Sequence, residues 1–429
     1  MTERAEGGLL IVAALLTGAG TAVVTITNGE GVTIDAYVAG AAFLAAFGGI
    51  FFAIRTWAPK ATHFLLPPVA LIAAIGSIEV FRIDRDLGRL QRYWLLVAAA
   101  IAMVVLRLLH GRGVEILRRF RYIFLAAAIG LLLLPLLPSG LPLGGAAVNG
   151  SRLWVRLDLG ERALSFQPGE AAKVLLVVFF ASYLAERRRG LAEMPRSLGP
   201  IGLPEPRQLL PLLLAFGASF AVLIYQRDLG ASILLFGMFA VLLYAATDRP
   251  AYLVAGGMLV AGGAAAARNI FSHVQTRVEA WLRPFDDFTG TGFQVAQGVF
   301  ALSDAGLLGT GLGAGAPYLI PAAATDYIFV SVVEETGLAG GFAMLAAFGL
   351  LLAVGFGIAL RAGDAFRSLL ALGLTVTLAL QTVLILGGVL RLLPLTGITL
   401  PFASYGGSSL LANLTIIVIL ARISHEERS

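Results

Sequence analysis

The stretch AAATDYIFVSVVEETG, residues 322–337, places three carboxylates at the beginning of a long apolar run. Asp326 precedes the run. Glu334 and Glu335 lie within it, about two helical turns after Asp326. Ionisable side chains within a membrane helix are costly in lipid, so they face protein, water or a partner. The stretch therefore predicts a membrane helix that begins beside a polar interior.

Similar apolar runs recur along the chain, which has 429 residues, 58% of them hydrophobic and 13% charged. Soluble proteins carry about 25% charged residues, and a membrane span needs about 20 apolar residues. We therefore predict an all-α polytopic membrane protein with about twelve transmembrane helices. The predicted spans are residues 8–27, 35–54, 64–81, 93–109, 122–138, 169–185, 208–224, 229–246, 250–267, 327–359, 367–388 and 406–422. The absence of cysteine excludes disulfides, thiol catalysis and thiolate metal sites.

Two basic loops indicate the orientation of the chain. Residues 107–121 and 186–207 carry five arginines each and fall on the same side as both termini. The positive-inside rule makes that side cytoplasmic. Loops 139–168, 268–326 and 389–405 are then extracytoplasmic, and we expect the functional site among them because long ordered loops are usually functional. The alternative is that these loops are tolerated insertions.

A glutamate and a lysine stand at the start of the predicted span 169–185. Pro168 and Glu170 suit the first turn of a helix, and Lys173 lies one turn further along the same face. Charged groups at this depth favour a wet interior over lipid. The alternative is helix capping with a local ion pair at the membrane interface.

The short turn YQRDLGAS, residues 225–232, carries the polar side chains of Gln226 and Asp228 between two predicted spans. We expect them to contribute to the same polar interior. The alternative is a hairpin tip at which Asp228 caps the next helix.

Glycine and proline mark two further segments. The run GTGLGAG, residues 309–315, does not follow a strand, which favours tight turns over a dinucleotide-binding loop. The preceding residues 292–304 have the spacing of a surface helix. In RLLPLTGITLPFASYGGSSLLAN, residues 391–413, the prolines and glycines forbid a continuous helix. Non-helical backbone at membrane depth is tolerated inside protein or beside water, so we predict a re-entrant loop that lines a cavity.

Five segments together resemble the SEDS family of shape, elongation, division and sporulation proteins. They are FQPGEAAK (166–173), QRDLGAS (226–232), GFQVAQGVFALSDAGLLGTGLGAG (292–315), TDYIFVSVVEETGLAGG (325–341) and LLPLTGITLPFASYGGSSLL (392–411). The resemblance covers roughly residues 64–422, and Gly169, Arg227 and Ala324 depart from the usual family pattern. It implies a SEDS fold with large extracytoplasmic loops. Residues 1–63 then form two additional transmembrane helices before a glycosyltransferase core, 64–429, a layout similar to the actinobacterial RodA branch.

The resemblance implies a peptidoglycan glycosyltransferase that polymerises lipid II at the outer face of the bacterial cytoplasmic membrane. The implied partners are lipid II, the growing glycan strand and a class B penicillin-binding protein, with no nucleic acid, and both termini are cytoplasmic. A divalent cation, Mg or Mn, stays open. The alternatives are a lipid II flippase or transporter, a non-catalytic scaffold, and the division paralogue in place of the elongation one.

The reaction forms a β-1,4 bond from an α-linked donor, so a single displacement needs one base and a stabilised pyrophosphate. The family pattern assigns the catalytic role to Asp326, for which the alternative is a helix N-cap. In a continuous helix Glu334 would lie about 12 Å further along the axis, so the acids cannot all serve one centre. The residues expected to bind substrate are Arg152, Trp154, Arg156, Gln167, Glu170, Lys173, Gln226, Asp228, Gln294, Ser404, Tyr405 and Ser408, with Arg152, Arg156 and Lys173 on the pyrophosphate. The residues expected to give structural support are Glu334, Glu335, Pro394, Gly397, Gly406 and Gly407.

Overall fold

The computed structural model describes residues 1–138, 143–148, 151–158, 163–192, 196–198, 201–203 and 206–428. Helices dominate the described chain. They are α1 Glu3–Thr27, α2 Ile34–Trp57, α3 Leu66–Ile83, α4 Arg85–His110, α5 Glu115–Arg119, α6 Arg121–Leu133, α7 Pro168–Ala192, α8 Pro206–Tyr225, α9 Leu229–Thr247, α10 Pro250–Ile270, α11 Ser272–Leu282, α12 Phe293–Asp304, α13 Ile328–Arg361, α14 Ala365–Val389 and α15 Gly407–Glu426. Short 3-10 turns occupy Leu134–Leu136 and Pro317–Leu319.

The helices confirm a polytopic membrane architecture. Among the described residues, nine are long and apolar enough to cross a membrane: α1, α2, α3, α4, α7, α9, α13, α14 and α15. The shorter apolar helices Arg121–Leu136, Leu209–Tyr225 and Pro250–Ala265 overlap the three remaining predicted spans. Every predicted span therefore overlaps a helix, and nine of them have full membrane-crossing length.

Short strands interrupt the all-α pattern outside the predicted spans. Strands β1 Leu143–Val148, β2 Ser151–Asp158 and β3 Ala163–Phe166 form an antiparallel sheet in the order β1-β2-β3. Strands β4 Arg196–Leu198 and β5 Ile201–Leu203 form a hairpin. These strands lie in segments predicted as loops. In β2 the apolar residues Leu153, Val155 and Leu157 are two residues apart, which is the period of a half-buried strand.

The described chain forms two compact units. The first comprises Met1–His110, Ala264–Val354 and Gln381–Ser429, and the second comprises Gly111–Gly263 and Gly355–Leu380. Within the first unit, α4 packs against α2 and α15, and α1 packs against α2 and α3. Within the second unit, α7 packs against α6 and α9, and α8 packs against α9.

Close backbone approach explains two glycines in the first unit. A Cβ at Gly407, where α15 begins, would lie 2.1 Å from the Trp94 ring of α4. A Cβ at Gly76 of α3 would lie 2.3 Å from the carbonyl oxygen of Ala403. A side chain at either position would push α15 or the segment before it off α3 and α4.

Helix α13 is interrupted at Gly337, whose φ of 71° and ψ of −175° are not helical. The predicted span 327–359 coincides with α13, and its sequence does not reveal the interruption. The glycine-rich loop, residues 306–316, takes over the backbone hydrogen bonds at the break. The N–H groups of Leu338 and Ala339 donate to loop carbonyls at 3.1 and 3.2 Å, and the N–H groups of Thr310 and Gly311 donate to α13 carbonyls at 2.9 and 3.0 Å. The break is tolerated because the loop supplies partners to these four backbone groups.

Candidate active site

Asp326 lies on the turn that leads into α13. Its N–H donates to the Ala322 carbonyl at 3.0 Å. The segment before α15, residues 390–406, contacts this turn. The Ser404 hydroxyl donates to the Thr325 carbonyl at 2.5 Å, and the Tyr405 N–H donates to the Ala324 carbonyl at 2.8 Å. The predicted re-entrant segment thus holds the backbone next to the predicted catalytic acid.

Asp326 shares its surroundings with Arg277 of α11, and Gly397 lies beside both. A Cβ at Gly397 would lie 3.3 Å from Arg277 Nη2 and 3.8 Å from Asp326 Oδ2. Gly397 also has a φ of +74°, which side chains rarely adopt. The glycine therefore leaves room for a guanidinium and a carboxylate to face the same space.

Two backbone carbonyls orient Arg277. Its Nη1 donates to the carbonyls of Leu395 at 3.2 Å and Thr396 at 3.0 Å. Trp281, one turn further along α11, donates from Nε1 to the Arg391 carbonyl at 2.9 Å, and Arg391 Nη2 donates back to the Trp281 carbonyl at 3.0 Å. Helix α11 is therefore fastened along residues 391–396, with the guanidinium of Arg277 held near Asp326.

Sequence reasoning missed Arg277, Trp281 and Arg391. The available signal was the i, i+4 spacing of Arg277 and Trp281, which puts both on one face of a short helix next to a long loop. That signal does not say which distant segment the face contacts.

The environment of Asp326 makes its carboxylate a better base than an ordinary aspartate. Burial raises its pKa to about 6, and the Thr325 hydroxyl and the charge of Arg277 oppose this rise. The assignment of Asp326 as the base, and not as an N-cap of α13, stays a prediction.

Glu334 and Glu335 bind the glycine-rich loop. Glu335 accepts from the N–H groups of Gly313 at 2.8 Å and Gly315 at 3.2 Å, and it pairs with Arg82 Nε of α3 at 3.0 Å. Glu334 Oε1 accepts from the Ala316 N–H at 2.9 Å. These are contacts to irregular backbone and to a cation from a neighbouring span, the kind that structural support requires.

The other predicted residues of the first unit lie on α12, on the segment before α15 and at the start of α15. Gln294 of α12 donates from Nε2 to the Pro321 carbonyl at 2.8 Å. Ser408 is buried in the first turn of α15, and Tyr405 is half-buried. Pro394 is half-buried in the segment fastened by Arg277, and Gly406 precedes α15. The contact of these residues with substrate stays a prediction.

The second unit contains the predicted residues of β2 and α7. Arg152 and Arg156 are exposed on β2, and Trp154 between them is partly buried. Glu170 and Lys173 form an ion pair of 3.0 Å at the start of α7 and are each 8% exposed. The predicted i, i+3 pair is present, and its role toward a substrate stays a prediction.

Three further predicted residues of the second unit contact backbone. Gln226 Nε2 donates to the Leu132 carbonyl at 2.5 Å, and the side chain is buried. Asp228 caps α9 by accepting from the Ala231 N–H at 2.9 Å, which is the alternative that the sequence analysis left open. Gln167 is half-buried just before α7, where its carbonyl accepts from the Glu170 N–H at 3.2 Å. The contact of these three with substrate stays a prediction.

Comparison with known proteins decides the family. A family model described as "Cell cycle protein", which covers FtsW, RodA and SpoVE, matches residues 62–429. The chain belongs to the FtsW/RodA/SpoVE family. The SEDS resemblance predicted from the motifs is therefore confirmed, and α1 and α2 precede the matched region.

Relatives from this family match the chain along most of its length. The protein named Peptidoglycan glycosyltransferase RodA of Mycobacterium tuberculosis is 42% identical over 437 residues, which cover 99% of this chain and 91% of that protein. The protein of the same name from Mycobacterium leprae is 37% identical over 99% of this chain and 91% of its own length. Stage V sporulation protein E of Bacillus subtilis is 33% identical over 70% of this chain and 77% of its own length.

Solved structures of the family share the fold. A chain from work described as structural coordination of polymerization and crosslinking by a peptidoglycan synthase complex matches with a TM-score of 0.66 and 27% identity. That match covers 86% of this chain and 98% of the other. Rod shape determining protein RodA of Thermus thermophilus matches with a TM-score of 0.57 and 25% identity, over 86% and 98% of the two chains.

Proposed function

We propose that this chain is a peptidoglycan glycosyltransferase of the RodA type, which polymerises lipid II with Asp326 as the catalytic base. The names of relatives that match 99% of the chain support the activity. The observation that carries the site is the placement of Asp326 beside Arg277, on a turn fixed by the segment before α15. A half-buried carboxylate with a raised pKa, next to a cation held by backbone carbonyls, suits a reaction that needs a proton acceptor and releases an anion.

Asp326 accepts the proton of the attacking sugar hydroxyl. As the oxygen–carbon bond to the anomeric carbon forms, the bond from that carbon to the pyrophosphate oxygen breaks, and the centre inverts. Because the leaving pyrophosphate is already a stable anion, it needs positive charge and no proton donor. One carboxylate therefore suffices, in contrast to glycoside hydrolysis, where two carboxylates about 5–9.5 Å apart share the work.

Arg277 stabilises the negative charge of the departing pyrophosphate. Its planar guanidinium is suited to phosphate oxygens, and the two carbonyls that hold Nη1 keep it oriented before substrate binds. Arg152, Arg156 and Lys173 are the further pyrophosphate ligands proposed from the sequence. Glu334 and Glu335 support the glycine-rich loop and take no proton in the reaction.

The reaction takes place at the outer face of the bacterial cytoplasmic membrane, with both termini cytoplasmic. The five arginines in each of the loops 107–121 and 186–207 support this orientation. The partner is a class B penicillin-binding protein that crosslinks the strands. This partner is proposed because a structurally similar chain belongs to a peptidoglycan synthase complex that coordinates polymerization and crosslinking.

A divalent cation would accompany the substrate in this proposal. Within the described ranges, no three acidic or imidazole side chains come together as metal ligands. Mg²⁺ is often bound by one or two carboxylates together with substrate phosphates. The pyrophosphate of the substrate would supply the ligands of the ion while Asp326 keeps its role as base, and the requirement is tested by omitting Mg²⁺ and Mn²⁺ from the assay.

The test is polymerisation of lipid II by the purified chain with its crosslinking partner, for the unmodified protein, Asp326→Asn and Asp304→Asn. Asp304 is an exposed acid at the end of α12 and serves as the matched control. We expect Asp326→Asn to reduce the rate by at least about 100-fold, as general base removal does, and Asp304→Asn to leave it unchanged. Polymer from Asp326→Asn at the normal rate would refute the catalytic assignment. Translocation of lipid II across vesicles without polymer would instead support the flippase alternative.

A further inference from the structure

Helices α1 and α2 lie outside the family match at 62–429, yet they are fastened to the matched region within one compact unit. α1 packs against α3, and α2 packs against α4. Glu30, between α1 and α2, pairs with Arg85 at 2.7 Å. Asp35 in the first turn of α2 pairs with Arg92 at 2.6 Å. Helices α1 and α2 therefore pack at a defined position against α3 and α4.

The C-terminal end of α1 contacts the glycine-rich loop. A Cβ at Gly313 would lie 3.0 Å from Thr27 Cβ, and Thr27 Oγ1 lies 3.5 Å from the Leu312 carbonyl oxygen. The side chain of Leu312 packs against an apolar cluster formed by Val24, Ile78 and Phe81. Thus α1 and α3 together provide the surface against which the tip of the loop rests.

The opposite side of the same loop binds Glu335. Gly313 makes both contacts: its N–H donates to Glu335, and its Cα faces Thr27. Gly313 has a φ of +86°, so it can occupy this narrow position only because it lacks a side chain. Arg82 closes the arrangement by pairing with Glu335 and donating to the Gly315 carbonyl at 2.8 Å. The loop is thereby held between α1 on one side and α13 on the other.

We propose that the C-terminal end of α1, through Thr27 and Val24, is a positioning element of the glycosyltransferase site. It seats the glycine-rich loop on Glu335, and the loop continues along the chain into the turn that carries Asp326. A misplacement of about 1 Å at a reacting group can cost about 100-fold in rate. This inference rests on the proposed function, because its main readout is the rate of polymerisation.

The first test compares Thr27→Phe with Thr56→Phe. Both threonines are exposed at the C-terminal end of their helices, and each donates to the carbonyl four residues earlier, at 2.9 and 2.8 Å. A bulky ring at position 27 displaces the glycine-rich loop. Thr56 lies at the end of α2, so a ring there tests the effect of an exposed phenylalanine alone. We expect Thr27→Phe to lower kcat by at least about tenfold with KM within about twofold. Thr56→Phe and the conservative Thr27→Ser should keep kcat.

Equal kcat values for Thr27→Phe and Thr56→Phe, in proteins with equal melting temperatures in detergent, would overturn the proposal. The outcome differs from failure of the proposed function, in which the unmodified protein makes no polymer or Asp326→Asn stays active. Polymer from the unmodified protein together with an unaffected Thr27→Phe therefore rejects only the positioning role.

A second test does not depend on how Thr27→Phe folds. Val24→Ala removes part of the apolar surface on which Leu312 packs and adds no bulk, whereas Val23→Ala shortens an exposed valine one residue earlier on α1. We expect Val24→Ala to lower kcat by at least about threefold with KM within about twofold, and Val23→Ala to keep both. Equal kcat values for the two variants, at equal melting temperatures in detergent, would contradict the positioning role.

Discussion

The pH dependence of polymerisation follows from the environment of Asp326. Burial raises the pKa of this carboxyl to about 6, and the base must be ionised to accept the sugar proton. With a pKa near 6, about nine-tenths of the enzyme is active at pH 7 and about one-tenth at pH 5, so kcat/KM falls about tenfold. An aspartate with an ordinary pKa near 3.9 would lose less than about a tenth of its activity over the same interval.

Substitution of Arg277 tests whether the surroundings of Asp326 set this pH profile. Its positive charge opposes the effect of burial, so Arg277→Gln removes a cause that lowers the pKa of Asp326. The ascending limb of the profile should move to higher pH in Arg277→Gln and stay in place in Arg277→Lys. The rate also falls in Arg277→Gln because the pyrophosphate loses a cation, but the position of the limb is independent of that amplitude.

The assay measures initial rates of lipid II polymerisation between pH 5 and pH 8 at low substrate, with the melting temperature in detergent recorded at each pH. Asp326→Asn, measured in parallel, gives the background that does not depend on this carboxylate. A change of less than about twofold between pH 7 and pH 5 would refute the base assignment. A limb that moves to lower pH in Arg277→Gln would refute the electrostatic coupling.

Three substitutions test the supporting contacts. Glu335→Ala leaves Arg82 Nε and two loop amides without their acceptor, so we expect a stability loss of about 3–5 kcal/mol, seen as a lower melting temperature in detergent. An unchanged melting temperature would argue against that contact. Gly397→Val introduces a Cβ 3.3 Å from Arg277 Nη2 at a φ of +74°, and we expect a loss of rate together with about 1–3 kcal/mol of strain, whereas full activity would contradict the close approach. Asp228→Ala removes the α9 cap and should cost about 1 kcal/mol with an unchanged polymerisation rate. A rate loss without a stability loss would instead favour the predicted substrate contact.

Several features of the molecule follow from local sequence. The apolar runs specify membrane helices because burial in lipid depends on composition over about 20 residues and not on distant partners. The same holds for α12, whose apolar spacing is visible in residues 292–304, and for the segment before α15, where proline and glycine exclude a continuous helix. The family motifs are also contiguous, so they identify the family without any structure.

The site depended on tertiary structure. Nothing in the local sequence joins Arg277 to Asp326, because the two are brought together by carbonyls at Leu395 and Thr396 and by the absence of a side chain at Gly397. The interruption of α13 at Gly337 is likewise invisible locally, since the loop that satisfies the freed backbone groups precedes the helix and must fold back on it. Helices and spans are set by short-range periodicity and composition. The pairing of a base with its cation is set by which distant backbone groups and side chains meet, and only the folded chain decides that.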